Sequence, residues 1–528
     1  SETERRTLCD LSQRAIGLTQ QETCALRQSD FYRTLSLPRR FLTVTCSQGG
    51  QDGTAFRPAG LLEDMMQLFP HMVVSGGVLA NDVAPLSPAM ALDALPHHLR
   101  QAVDTNTPLP EQWANVLRWL YVDPEWHSRC QAVLDALNRH GTAIFLSRDH
   151  TRRLFTQDKV SISRLEGFAQ CPYRHFVNYG LKPVIRREYE FDPADVGDFY
   201  HAAMEGYAAL ALREPDFPDL PDEKIHALMD TVLLPLTTAW TDGPLNETPS
   251  LRLQGEKYRR TVHRAAWMFT HHAQHSRFRT VGEEVVFGEE NGLPPVVLTL
   301  HDGRKIALRG KIDRIDRWEG DEGVYLLVSD YKSSHRDIDP TRLWYGLQLQ
   351  LLLYLQAACE GLDGNPAGAF YFTMKDPMVD TADVKEAAEK AIAKKLHLKG
   401  IVLADVDVVE ALDSEPGYSF TKIFNADSSV ASSSDGYTPE EMAALLAHAK
   451  KMAAELADRI RSGEITPSPA VISDWNACQW CDCAGVCKLD TSIPGHEKRE
   501  LPPLSKQELL TRMANDTDAP GNEEDTSP

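Results

Sequence analysis

The chain has 528 residues, of which 42% are hydrophobic, 25% charged and 8% aromatic; this is the make-up of a globular protein of two or three domains and excludes a disordered, collagenous or disulfide-dense one. Its 76 acidic and 55 basic residues give a formal charge of −21, which argues against a generic nucleic-acid coat but leaves room for a local basic channel. The sequence has neither an apolar run of about 18 residues nor a basic segment leading into an apolar one, so no membrane span or secretory signal is expected, and the cytoplasm is the expected compartment.

The chain opens on SETERRTL, without an initiator Met and in what reads as the middle of a helical region, as expected of a fragment of something longer. Residues 1–150 mix helical stretches such as LLEDMMQLF (61–69) with a β-like run, FLTVTC (41–46), and carry no catalytic constellation. No G-x-x-x-x-G-K-[ST] occurs anywhere, so an ATPase that works with this chain lies elsewhere. Residues 151–190 hold eight Lys or Arg against four acids, a stretch able to meet phosphate, although charge alone reads more simply as a solvated surface.

From about 157 the pattern becomes organised. SISRLEGFAQCPYRHFVNYGL and VGDFYHAAMEGYAALAL are helical, and a long helical region continues to about 277. The β-rich runs VGEEVVFG (281–288), PVVLTLH (295–301), KIALRGKIDRIDRW (305–318) and VYLLVSDYKSS (324–334) follow, with EGDEG (319–323) as a hairpin turn. A helix, LWYGLQLQLLLYLQAACEG, and a strand, AGAFYFTMK, complete the order α, β, β, β, α, β around a mixed sheet. DSSVASSSDGY (427–437) is a surface loop, and the helix after it is bounded by Thr438, Pro439 and Glu441 at its start and Gly463 at its end. Residues 501–528 read as a disordered acidic tail.

Asp330 and Lys332 are two apart on a strand and leave the same face, and the hairpin brings Asp313 alongside. Two carboxylates on adjacent strands can bind a hard cation such as Mg²⁺ and leave positions open for water and a phosphate oxygen. A lysine beside them can orient the attacking water and offset charge building on phosphorus. An isolated D-x-K is more often a surface ion pair. Here it has company: His201 follows Gly197 on a helix, and Gln350 and Tyr354 share a helix face at i, i+4.

GDFYH (197–201), GKIDRID (310–316), SDYKSS (329–334) and QLLLY (350–354) together resemble the RecB-like branch of the PD-(D/E)XK nucleases. The resemblance implies an α/β fold with an αβββαβ core, a mixed sheet flanked by helices, and Mg²⁺- or Mn²⁺-dependent hydrolysis of DNA. It implies His201, Asp313 and Asp330 as metal ligands with the Tyr331 carbonyl as a fourth, Lys332 as the catalytic lysine, and Gln350 and Tyr354 facing the active site or the DNA.

CQWCDCAGVC contains Cys478, Cys481, Cys483 and Cys487, and spacing alone points first to a Cys₄ zinc site. Cys171, in QCPYRHF, changes that reading. Within the RecB-like nucleases, the AddB-type subunits of helicase-nucleases have one Cys before the core and C-x-x-C-x₅-C after it. The resemblance implies that Cys171, Cys478, Cys481 and Cys487 hold a [4Fe-4S] cluster, with Cys483 the extra one. The cluster would staple the two ends of the fold. LPRRFLTVTCSQGGQDGTAFRPAGLLEDMMQLFP resembles, more loosely, the end of the helicase-like region that precedes the nuclease in that group.

The organisation this implies is a helicase-like remnant over 1–150, a nuclease domain with its cluster over 151–500, and the tail over 501–528. The implied function is exonuclease action on a single DNA strand, the 5′-terminated one, in resection of double-strand breaks beside an AddA-like helicase-nuclease partner, in the bacterial cytoplasm at the nucleoid. The alternatives are a catalytically weak DNA-binding scaffold of a helicase-nuclease, a stand-alone RecB-like nuclease, and a zinc-binding interaction module.

Overall fold

The computed structural model describes residues 2–14, 17–47, 55–57, 60–71, 87–137, 144–155, 158–184, 192–238, 243–377, 391–425, 427, 429–431, 434–491 and 495–517. Two compact units, Ser1–Leu137 and Asn138–Pro528, divide the chain.

In the first unit the described residues form the helices Glu2–Ser12, Gln20–Ser36, Gly60–Leu68, Pro88–Asp104, Glu111–Val122 and His127–Leu137. The last three bury Leu95, Leu99, Trp113, Leu120 and Cys130 against one another. FLTVTC does not form the expected strand: residues 41–47 have no regular structure and Phe41 is exposed. A strand needs a neighbour to take its backbone hydrogen bonds, and none of the described strands pairs with this run. Among the described residues no helix is long and apolar enough to cross a membrane.

The second unit begins before residue 150. The Ile465 N–H donates to the Ile144 carbonyl at 2.9 Å and the Leu146 N–H to that of Gly463 at 2.8 Å, so 144–150 belongs with the nuclease-like unit rather than with the leader. The unit runs through β1 (Lys159–Ser161), α1 (Ile162–Gln170), α2 (Pro193–Ala211), α3 (Asp222–Thr238), α4 (Pro249–Gln274), β2 (Arg279–Phe287), β3 (Val297–Thr299), β4 (Lys305–Gly320), β5 (Gly323–Lys332), α5 (Gln350–Leu362), β6 (Asn365–Thr373), β7 (Lys399–Leu403), β8 (Gly436–Tyr437), α6 (Pro439–Arg461) and α7 (Lys506–Thr517). The expected αβββαβ core is therefore present, built from α2, β2, β4, β5, α5 and β6.

The long strand β4 is the centre of the sheet. Its first residues pair with β1 and β3, and its later ones with β2 on one side and β5 on the other. β4 and β5 close as a hairpin in which Gly320 faces Gly323, as EGDEG predicts. β5 and β6 are parallel, a pairing that requires a crossover, and α5 supplies it. Leu351, Leu352, Leu353 and Leu355 are buried, each contributing about 1.5–3 kcal/mol, so α5 is held firmly on the sheet.

The helix expected over 343–361 is two helices. Pro340–Trp344 ends where Gly346 takes φ +72° and the Leu347 N–H donates back to the Arg342 carbonyl, a left-handed stop that frees α5 to start at Gln350 on its own axis. Helix α6 has the expected cap: the Glu441 N–H donates to Thr438 Oγ1 (3.3 Å) and the Thr438 N–H to Glu441 Oε2 (2.9 Å).

Residues 506–517 are helical rather than part of a disordered tail. Ser505 and Glu508 form a second capping box, and Leu509 and Met513, four apart, are buried in the core. Residues 518–528 lie outside the described residues. The loop expected over 427–437 ends in β8, which extends the sheet beside β7.

Candidate active site

Strand register builds the site. Glu283 pairs with Arg314 and Val285 with Ile312, so Glu284 lies opposite Asp313; on the other side of β4, Arg314 pairs with Ser329, one step from Asp313 and Asp330. Glu284, Asp313 and Asp330 thus form a row of three acids across three adjacent strands. His201 arrives from α2, its Nδ1 3.5 Å from Glu284 Oε1 and 3.6 Å from Asp313 Oδ2. Among the described residues, His201, Glu284 and Asp313 are the one set of three His, Cys, Asp or Glu whose ligand atoms lie within 4.8 Å of one another.

Asp330 and Lys332 form an ion pair. Gln350, at the first turn of α5, donates through Nε2 to Asp330 Oδ1 at 2.9 Å and to the Tyr354 hydroxyl at 3.1 Å. The Tyr331 N–H donates to Asp313 Oδ2 at 2.6 Å, which sets its backbone against the acid. The seven residues expected at the site, His201, Asp313, Asp330, Tyr331, Lys332, Gln350 and Tyr354, therefore converge.

Glu284 is an addition, and its backbone explains how it gets there. It takes φ +53°, a left-handed conformation that costs a non-glycine residue about 1–3 kcal/mol, within a strand that should alternate. Glu283 instead points to the Tyr331 hydroxyl, which donates to it at 3.3 Å, and burial pushes its carboxyl up to about 8. Two neighbouring acids in VGEEVVFG were the available signal, since one of them must face inward.

Gly310, the first residue of GKIDRID, is required by packing. A Cβ there would stand 2.6 Å from Phe287 Cε1 and 3.1 Å from Tyr354 Cε1. A second residue that the sequence did not reveal is Glu166. α5 has no side-chain cap of its own; Glu166 Oε1, from α1, accepts from the N–H groups of Leu349 (2.6 Å) and Gln350 (2.9 Å). Burial pushes the Glu166 carboxyl up to about 7.

The electrostatics fit a hard divalent cation. Burial, and then the charge of Asp330, push Asp313 up to about 6, and Glu284 Oε1 is buried without a hydrogen-bond donor among the described residues. Clustered carboxylates with an imidazole at their edge are an oxygen-rich donor set of the kind Mg²⁺ or Mn²⁺ takes.

Cys171, at the C-terminal end of α1, lies within electrostatic range of Cys478 and Cys487, and Cys481 of both. Cys483 is buried, its Sγ 3.9 Å from Asn178 Oδ1, and its thiol also hydrogen-bonds with that of Cys481.

Comparison with known proteins places these features. The model of the PD-(D/E)XK nuclease superfamily matches residues 159–488, and that of the fifth domain of the ATP-dependent helicase/deoxyribonuclease AddB matches residues 86–136. The chain is 30% identical over 521 residues to the B-type subunit of the ATP-dependent helicase/deoxyribonuclease of Alkaliphilus metalliredigens, covering 95% of this chain and 45% of that protein. It is 34% identical over 510 residues to its counterpart of the same name in Moorella thermoacetica, covering 92% and 44%. The chain spans under half the length of these curated relatives.

Proposed function

The chain belongs to the PD-(D/E)XK nuclease superfamily, and on that premise we propose that it is a Mg²⁺- or Mn²⁺-dependent DNA exonuclease that hydrolyses one strand fed to it within an AddAB-type helicase-nuclease, beside an AddA-like partner, during end resection for recombinational repair. The 5′-terminated strand is the proposed substrate. The carrying observation is the convergence of His201, Glu284 and Asp313 on one point, with the Asp330–Lys332 pair next in the row.

His201, Asp313, Asp330 and the Tyr331 carbonyl would hold the cation, with Glu284 beside them. Bound there, the cation supplies Lewis acidity to the scissile phosphate and to a water. The protein's own groups do the rest. Lys332 orients the water and offsets negative charge building on phosphorus. Gln350 holds Asp330 in place while donating to Tyr354, and Glu166 holds the turn from which Gln350 reaches. A fixed geometry of this kind lowers the entropic part of the barrier.

The same reading assigns a structural [4Fe-4S] cluster to Cys171, Cys478, Cys481 and Cys487, cross-linking α1 to the segment after α6. The nearness of Cys171 to Cys478 and Cys487, and of Cys481 to both of those, supports it.

The test is degradation of end-labelled single-stranded DNA by anaerobically purified protein with Mg²⁺, run beside Lys332→Ala. The expected result is cleavage lost in the variant while its melting and iron content persist. Equal cleavage by both proteins would overturn the assignment. For the cluster, Cys171→Ser should lose iron and visible absorbance; unchanged iron content would exclude Cys171 as a ligand.

A further inference from the structure

Next to the site lies a cavity of about 770 Å³ that the mechanism does not use, within the roughly 300–1,000 Å³ of ligand sites. Its walls include Glu166, Arg174, Arg336, Gln348, Trp475 and Trp480. It opens directly beside the chemistry. Gln348 donates to the Tyr371 hydroxyl at 3.1 Å, the Tyr371 ring centroid lies 6.0 Å from Lys332 Nζ, and Arg336 is four residues beyond Lys332.

Its acids are engaged. Asp339 caps the helix Pro340–Trp344 and pairs with Arg342 at 3.4 Å, Asp337 lies 3.0 Å from His335, and Glu166 caps α5. Among the described residues neither Arg174 nor Arg336 pairs with a carboxylate; Arg174 donates only to the neutral Gln170, at 3.0 Å. In the same cavity Trp480 is 82% exposed, an unusual position for the largest apolar side chain. Trp475 is held under the Arg342 guanidinium, 4.6 Å from its ring centroid.

Arginines without carboxylate partners, sharing a polar cavity with an uncovered indole, match what single-stranded nucleic acid needs. Every base has a π-face to stack, and every phosphate a charge to neutralise. Resting on the nuclease reading, we propose that this cavity binds the nucleotides of the single strand that adjoin the scissile phosphate. A base stacks on Trp480, and backbone phosphates meet Arg336 and Arg174. The strand is thereby held in register with Lys332, and the segment between Cys478 and Cys481 carries its stacking platform.

The test measures affinity for a labelled oligo-dT, with Ca²⁺ replacing Mg²⁺ to prevent cleavage, for the wild-type protein, Trp480→Ala, Trp480→Phe and Arg336→Ala. Melting and iron content verify that each variant is folded and loaded. Trp480→Ala should weaken binding about ten-fold, Trp480→Phe should restore most of it, and Arg336→Ala should weaken binding and lower the slope of log affinity against log salt by about 0.7. Wild-type affinity in both alanine variants overturns the proposal, as does equal weakening by Trp480→Ala and Trp480→Phe. Hydrolysis of a small p-nitrophenyl phosphodiester by wild type, and its loss in Lys332→Ala, judges the nuclease reading separately, because that substrate does not reach Trp480.

Discussion

Replacing Glu166 by Gln should remove a pH dependence of stability while keeping the cap. The carboxyl has an ordinary value of 4.5 and is pushed up to about 7 by burial. A raised carboxyl pKa means that the folded protein binds the proton more tightly than the unfolded chain. Its stability contribution is therefore complete below 4.5 and is lost as pH rises through 7. At about 1.4 kcal/mol per unit, the full loss is about 3 kcal/mol, of which about 2 kcal/mol falls between about pH 5.5 and about pH 8.5. Glu166 lines a cavity that admits water, so about 2 kcal/mol is an upper bound.

A glutamine oxygen can still accept from the Leu349 and Gln350 N–H groups and has no proton to lose. Anaerobic urea unfolding of the two proteins across that range should show the Gln variant gaining on wild type as pH rises, by up to about 2 kcal/mol. A difference constant with pH would show that Glu166 is not the titrating group and that the cap is not buried as described. Glu166→Ala is the companion: two helix N–H groups lose their acceptor, so it should be about 1–2 kcal/mol less stable than Glu166→Gln at every pH, and cleavage should fall with it.

Further outcomes follow from the same geometry. Gln350→Ala removes the donor shared by Asp330 and Tyr354, so cleavage should drop by about ten-fold or more, against a stability loss of about 1–2 kcal/mol; an unaltered single-turnover rate would take Gln350 out of the site. Gly310→Ala forces a methyl between the Phe287 and Tyr354 rings and should cost about 1–3 kcal/mol in unfolding free energy, whereas a melting temperature equal to wild type would mean that those rings yield. Asp313, pushed up to about 6, must ionise to hold a cation, so Mg²⁺ affinity by calorimetry should fall about ten-fold per pH unit below about 6. A Kd that stays flat down to about pH 5 would contradict the buried, acid-flanked position of that carboxylate.

Features set by neighbours along the chain were legible in the sequence. Asp330 and Lys332 share a face because strand side chains alternate, EGDEG closes the hairpin because its residues accept turn conformations, and Thr438 with Glu441 caps α6 because a capping box spans only four consecutive residues. The seven residues implied by the nuclease motifs could be named for the same reason, since each motif is short and rides on one element, although their convergence required the sheet to assemble. The Ser505–Glu508 box is equally local, but it sits inside an acidic, Pro-containing stretch whose composition masks the two apolar residues that bury α7.

Other features were decided only when distant segments met. Glu284 joins the site through its register opposite Asp313 and a left-handed φ that breaks alternation, and neither is encoded within its own strand. Glu166 caps a helix 183 residues away. Cys171, far from the other cysteines along the chain, reaches Cys478 and Cys487 only through packing. The stop at Gly346 frees α5 from the preceding helix, and FLTVTC finds no partner strand among the described residues. Periodicity and turn chemistry are short-range and can be read along the chain, whereas register, borrowed caps and ligand selection depend on which surfaces the packed core brings together.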